Sequence, residues 1–394
     1  MNPRAYFLVV ILLCFLSALC CITACDEDCE ECSCDEGDTD DDVADDDTAD
    51  DDDDDSDPQH EITEPIELLN PDGSLKARGW ARHPLIMYNP QCVPGHLQSR
   101  LKEWDAYLVV TPEVVLSITI SDIRLVSFVS YELIEFATDT KESGLVLQFG
   151  SMGFMPLDMF GSIDFSQGGN SLSVEYDQGV RVLTAHFEES LLSAECDFSI
   201  VLAQDPNEED VAAAAPFYPP DTFFYENKIV GMTASGEVTV KGKTYTFDPV
   251  DSFGVLDWGR GIYPHINEWH WGVAAGYVDG GIAGFNIGDG WLDNSLGTSN
   301  AQKINGVLHK LYYVYFDYDP NRILDNWHVV SDDGKFEATL EPFYYQKTGM
   351  MILDLGMLLD KVYGRCSGTM TKDDGTVVEF EDLIGFIEWS SQRW

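Results

Sequence analysis

Positive charge is what this sequence has least of. Only 22 Lys and Arg stand against 70 Asp and Glu, for a formal net charge of −48. Nucleic-acid binding rests on Lys and Arg neutralising phosphates, so a nucleic-acid partner is excluded. The common catalytic signatures are missing as well. There is no HExxH, no nucleophile-elbow GxSxG with triad partners, no P-loop and no dinucleotide fingerprint, which disfavours those enzyme classes. Asp317, Asp319, Asn321 and Asp325 have the spacing of calcium-loop ligands. But Arg322 stands where that loop needs Gly and His328 where it needs a bidentate Glu, so neither metal nor cofactor is expected. Long apolar runs are also scarce. The run from Ala5 to Leu19 is short for a spanning helix, which needs about 20 apolar residues.

What is present at the N-terminus is an export signal. Arg4 followed by that apolar run has the pattern of a signal peptide. Ile22-Thr23-Ala24-Cys25 then resembles the lipobox of bacterial lipoproteins. The resemblance implies cleavage before Cys25 and its lipidation, with the protein held at the extracytoplasmic face of a bacterial membrane, in the cell envelope. Residues 1–24 are the expected signal peptide. Residues 25–57 are the expected tether: Asp26 to Asp57 holds 21 acids and no base in 32 positions. A block of like charges repels itself and buries nothing, so a disordered spacer is expected, reaching roughly 100 Å at full stretch. Of the ten cysteines, Cys29, Cys32 and Cys34 lie in this tail and Cys92, Cys196 and Cys366 in the remainder. Tail disulfides, or one pair within the folded part, are compatible with an oxidising compartment, and spacing does not decide the connectivity.

From residue 58 onward the texture is all-β. Val114–Ile120, Arg124–Phe136, Gly144–Phe149, Leu172–Tyr176, Val180–Phe187 and Cys196–Leu202 are short runs rich in branched and aromatic residues. Turn residues separate them. Glu237–Val240 and Lys243–Phe247 flank Lys241-Gly242 as a hairpin, and Asp-Gly recurs at 72–73, 279–280, 333–334 and 374–375. Ile352–Tyr363 is the one stretch expected to be helical. Many short strands with regular turns predict a barrel or sandwich. The Ala- and Pro-rich segment Ala212–Pro220 is the expected seam between two β halves, residues 58–215 and 216–394.

The densest stretch begins at Leu256-Asp257-Trp258-Gly259-Arg260-Gly261 and continues through Trp269-His270-Trp271-Gly272. Gly284-Phe285-Asn286-Ile287-Gly288 follows, with Trp291, His309-Lys310-Leu311 and the terminal Glu388 and Arg393-Trp394. From about Gly79-Trp80 to the C-terminus this order resembles the family catalogued as domain of unknown function 2804. More distantly it resembles tandem lipocalin-like proteins of the hydroxyneurosporene synthase (carotenoid hydratase) type. The resemblance implies two consecutive lipocalin-like barrels or half-open β-sandwiches. The hydratase motif generally places His after the Asp, where this chain has Trp258; the departure puts hydratase chemistry in doubt and leaves the fold inference standing.

These residues supply the candidate site. Trp258, Trp269, Trp271 and Trp291, with Arg260 and Asn286, are the expected walls of a cavity for an apolar small molecule, lipid or isoprenoid-like. Asp257 is expected either as an acid held by Arg260 or as a structural ion pair with it. On one strand, Glu268 and His270 face opposite to Trp269 and Trp271. A second reading is a cofactor-free hydratase, isomerase or cyclase with Asp257, His265 or His270 as acid. A third is a structural protein of the cell envelope.

Overall fold

The computed structural model describes residues 59–153, 155–218, 221–290, 294–352 and 355–393. The expected signal peptide, Cys25, the expected acidic tether and Trp291 lie outside them. Three short strands come first: β1 (Ile66–Glu67), β2 (Gly79–Ala81) and β3 (Ile86–Met87). An antiparallel meander follows: β4 (Leu101–Val110), β5 (Val114–Asp122), β6 (Val126–Glu135) and β7 (Thr140–Phe149). Next are β8 (Ile163–Gln167), β9 (Asn170–Asp177), β10 (Val180–Phe187), β11 (Cys196–Ala203) and β12 (Val211–Pro216). The first sheet is completed by β13 (Phe223–Val240), β14 (Lys243–Phe247) and β15 (Phe253–Ile262). It runs β7-β6-β5-β4-β15-β13-β11-β10-β9-β8, with β12 and β14 on β13 and β2 on β12, and curls into a nearly closed barrel.

The second sheet is a half-barrel. Its strands are β16 (Ile266–Val278), β17 (Gly281–Asp289), β18 (Ala301–Ile304), β19 (Val307–Lys310), β20 (Val314–Asp317), β21 (Trp327–Ser331), β22 (Phe336–Ile352), β23 (Leu355–Thr371) and β24 (Val377–Arg393). Their order is β19-β18-β17-β16-β24-β23-β22-β21-β20. The chain passes from one sheet to the other between Ile262 and Ile266. Of the segment Ala212–Pro220, expected as the seam between two β halves, Ala212–Pro216 belongs to β12 inside the first sheet. The expected helix at Ile352–Tyr363 is also strand, ending β22 and opening β23. A continuous apolar run has no period that separates a buried strand from a helix.

The expected hairpins form. Val240 pairs with Lys243 across Lys241 and Gly242, both at positive φ (49° and 80°), as a tight two-residue turn requires. Asp279 and Gly280 do the same between β16 and β17, at 51° and 82°.

Alternation along the strands divides the apolar residues into three layers. Leu116, Val129, Phe187, Phe198, Leu202 and Trp258 fill the first barrel. Phe285, Trp327, Phe336 and Phe380 fill the concavity of the second sheet. Between the sheets, Leu108, Val230 and Val255 on the outside of the barrel meet Trp271, Val273, Tyr363 and Phe386. Polar bonds cross this seam too: Gln346 Nε2 donates to Glu132 Oε1 at 2.7 Å, and Tyr344 Oη donates to Asp139. Cys92, Cys196 and Cys366 are all buried, and Cys196 and Cys366 are free thiols, so these three form no disulfide with one another. Burial pushes the Cys196 thiol up to about 12, which keeps it unreactive.

Candidate functional site at the seam between the sheets

The segment Phe223-Phe-Tyr-Glu-Asn-Lys-Ile-Val230 puts Glu226 and Lys228 on one face of β13, two residues apart. Register sets Lys228 directly opposite Asp257 on β15 and Glu226 opposite Gly259. Lys228 Nζ lies 2.5 Å from Asp257 Oδ1 and 3.0 Å from Glu226 Oε2. Glu226 and Lys228 are fully buried, and the Asp257 side chain is 14% exposed. Gly259 is required on this face, because a Cβ there would stand 2.3 Å from the Trp104 ring.

The second sheet answers with a row across three strands. Trp271 on β16 pairs with Glu388 on β24, which pairs with Lys361 on β23. The Lys228 ammonium sits 4.4 Å from the Trp271 ring centroid, a cation–π contact made across the seam. Lys361 Nζ lies 2.8 Å from Glu388 Oε2 and 4.2 Å from the Phe386 ring centroid. Trp271 Nε1 donates to Asn286 Oδ1 at 2.8 Å, and Asn286 Nδ2 donates to the Ser299 carbonyl at 2.9 Å, which fixes both side chains. Trp269, half-buried at the edge, donates to Glu388 Oε1 at 3.3 Å. A cavity of about 10 Å³ lies beside Lys228, Asn286, Asp210 and Lys303. That is room for about one water.

Burial shapes the charges. It drives the Glu226 carboxyl up; the Lys228 ammonium pulls it down, Asp257 pushes it up again, and the outcome is raised. Burial alone would lower Lys228, but Asp257 and Glu226 outweigh it and its pKa is raised. The cluster therefore holds a firmly charged ammonium next to a carboxyl that takes a proton more readily than usual.

The other expected site residues distribute differently. Asp257 and Arg260 are three apart on β15 and point to opposite faces, so they do not pair. Arg260 faces the barrel lumen, where its Nη2 lies 2.8 Å from Asp105 Oδ1. Trp258 is there too, edge-on to Tyr225 at 5.1 Å, with the Arg260 guanidinium 3.8 Å from its ring centroid. Among the described tryptophans of the expected site, no single cavity is lined: Trp258 is barrel core, and Trp269 and Trp271 belong to the seam. His270 faces away from Trp271, as alternation requires. It stacks on Phe316 at 5.0 Å and meets Tyr318 Oη at 3.2 Å, and burial lowers its pKa. Glu268 accepts from Ser391 Oγ at 2.9 Å. His265 is exposed in the β15–β16 connection, away from the Lys228 cluster.

Fold and seam together define an all-β protein in which a nearly closed barrel and a half-barrel share one buried, charged contact layer. The family described as Domain of unknown function (DUF2804) matches residues 59–394, and the chain belongs to that family. No curated protein matches the chain. Among solved structures it is similar to kievitone hydratase from Nectria haematococca, at 13% identity and a TM-score of 0.45, over 73% of this chain and 88% of that one. It is also similar to a putative AttH from Nitrosomonas europaea, at 12% identity and a TM-score of 0.43, over 74% and 92%.

Proposed function

We infer that the protein is a lipoprotein of the bacterial cell envelope, anchored through Cys25, whose folded part binds a small, largely apolar molecule at the seam. The observation that carries this reading is Trp271, which with Phe386 and Tyr363 presents an aromatic wall to Lys228, Glu226 and Asp257. An apolar wall facing a few convergent polar groups is the composition of small-molecule sites. A cavity of about 10 Å³ admits no such ligand, so binding requires the two sheets to part. The test is native mass spectrometry of the full chain purified gently from a lipid-rich host. A discrete apolar ligand that is lost on Trp271→Ala supports the reading. An empty protein that takes up nothing from a lipid panel argues for a structural envelope role instead.

A second reading, proton-transfer catalysis, draws on the raised Glu226 carboxyl beside Asp257. It moves the acid from His265 and His270 to the seam carboxyls. Incorporation of solvent deuterium into the extracted ligand, abolished by Glu226→Gln or Asp257→Asn with binding retained, would establish it. Undiminished incorporation in both variants would end it. The anchor has its own check: Cys25→Ser should abolish acyl labelling and move the protein from the membrane fraction to the soluble one.

A further inference from the structure

The second sheet opens into a fork at one end. β16 and β24 pair from Ile266 and Arg393 to Ala275 and Ile384, and there the ladder stops. Beyond Ala275, β16 pairs only with β17; before Ile384, β24 pairs only with β23. The two strands still touch at Gly276, where a Cβ would stand 2.7 Å from Leu383 Cδ2. They part because β24 is bent. Its register against β23 shifts between Cys366 and Gly368, and Asp382 has φ +59°. Such a bulge turns a strand away from its neighbour. The result is a groove of about 450 Å³ between Tyr277–Asp279 and Val377–Glu381.

Both walls of the groove present main-chain groups. In an antiparallel pair, bonded and non-bonded residues alternate. Lys372 N donates to the Thr376 carbonyl at 2.9 Å, which sets the phase. Val378 and Phe380 therefore bond to β23, while Val377 and Glu379 turn their N–H and C=O groups toward the fork. Thr371, opposite Val377, accordingly donates away from β24, to the Lys335 carbonyl at 2.7 Å. On the other wall, Ile282, opposite Tyr277, accepts from Asn305 N at 2.8 Å on the side away from β16, so Tyr277 is turned to the fork as well. The side chains divide into an apolar face and a charged one. Val278, Val378 and Phe380 belong to the apolar layer of the second sheet. Asp279, Glu379 and Glu381 are exposed, and no Lys or Arg lines the groove.

We propose that this fork docks an extended segment of a partner protein, with Lys or Arg at alternate positions, which adds to β24 as a further strand along Val377–Glu381. The main-chain groups of Val377 and Glu379 supply the pairing, as in other strand additions to an open sheet edge. Glu379 and Glu381 lie two apart, so their carboxylates share one face and meet bases at alternate positions of the added strand. Charge decides the occupant. A second copy of this chain would set the same carboxylates against these, and residues 26–57 hold 21 acids and no base, so neither fits the edge. The fork is distinct from the seam and does not depend on it.

The test titrates the full chain into labelled peptides and follows fluorescence anisotropy, with amide hydrogen exchange as a second readout. The peptide TKVKVKT alternates its lysines, VTKKKTV has the same composition without the alternation, and TEVEVET carries the opposite charge. The scrambled peptide reports the general attraction of a base to a chain of net charge −48. TKVKVKT is expected to bind at least about tenfold more tightly than either of the others. That preference is expected to disappear when Glu379→Lys and Glu381→Lys are combined, two exposed positions where a changed side chain leaves the core intact. Bound TKVKVKT is also expected to slow exchange of the Val377 and Glu379 amides. Equal binding of TKVKVKT and VTKKKTV, or no binding of either, overturns the proposal. So does an undiminished preference in the double variant. On the wild type alone, bound TKVKVKT with unchanged exchange at Val377 and Glu379 refutes the site. Protection of those two amides that grows with protein concentration in the absence of peptide overturns it in favour of pairing between two copies.

Discussion

Removing the ammonium of Lys228 would leave Glu226 and Asp257 side by side on the seam face of the first sheet with no cation between them. Breaking a buried pair by deleting one partner costs about 3–5 kcal/mol, so Lys228→Met should lose stability of that order in urea denaturation at pH 7. A loss below about 1 kcal/mol would mean water reaches the cluster. Glu226 sets the pH dependence. Its folded pKa is raised above the ordinary value of 4.5, so the folded state holds the proton more tightly than the unfolded chain does. The stability this contributes is fully present below pH 4.5 and is lost as pH rises through the folded pKa. Wild type should therefore lose stability relative to Glu226→Gln as pH climbs from about 4.5, which paired denaturation curves would show. Asp257, Trp271 and Asn286 were legible in the sequence because Trp and Gly crowd around them. Glu226 and Lys228 were not, since Glu-Asn-Lys inside an apolar run carries no motif. The usable signal was two charges at i and i+2 within Phe223–Val230, a pattern that puts both on one buried strand face.

At the scale of the element, β13 organises the first sheet. Its first part pairs with β12 and β15, and its last part with β11 and β14. The change falls at a bulge between Val230 and Met232, where Gly231 has φ +81° and a Cβ would meet Ile282 Cγ2 of the second sheet at 3.0 Å. A left-handed conformation costs an L residue about 1–2 kcal/mol, so Gly231→Ala should lose at least that much in chemical denaturation, more if Ile282 cannot shift. The hairpin turns were readable from Lys241-Gly242 and Asp279-Gly280 because those residues are needed for the backbone they adopt. The bulge was not, because a single Gly inside a strand pattern does not say which neighbour the bend serves. β23 was missed for a related reason: buried on both faces in part, it lost the two-residue alternation that marks a strand.

At the scale of the molecule, the sequence spoke for two β units but not for the place where one gives way to the other. Sheet membership depends on which distant strands pair, and β15 joins β4 from about 150 residues away. No local pattern contains that choice. What couples the units is the seam, where Trp271 packs edge-on to Phe386 at 5.0 Å and under Lys228. Deleting a buried aromatic side chain of this size costs about 3–5 kcal/mol. Calorimetry of the wild type should show one cooperative transition, and Trp271→Ala should separate it into two as the sheets lose their common layer. A single, merely shifted transition in the variant would assign the coupling to the polar bridges at Gln346 and Tyr344.

Gln59, the first described residue, is completely buried between the sheets. Its side-chain carbonyl accepts from Thr298 N at 3.0 Å and Thr298 Oγ1 at 3.1 Å on the second-sheet side, while its backbone carbonyl accepts from Trp80 Nε1 at 3.3 Å. Arg82, close behind, ties Glu61 and Glu209 to Asp373 in the β23–β24 turn. On the proposed reading, in which residue 59 follows a membrane tether, the polypeptide is therefore fastened to both sheets at once where the described chain begins. Mechanical load arriving along it acts as shear on the joint between them before it reaches any barrel strand, so tension and ligand uptake would draw on the same movement.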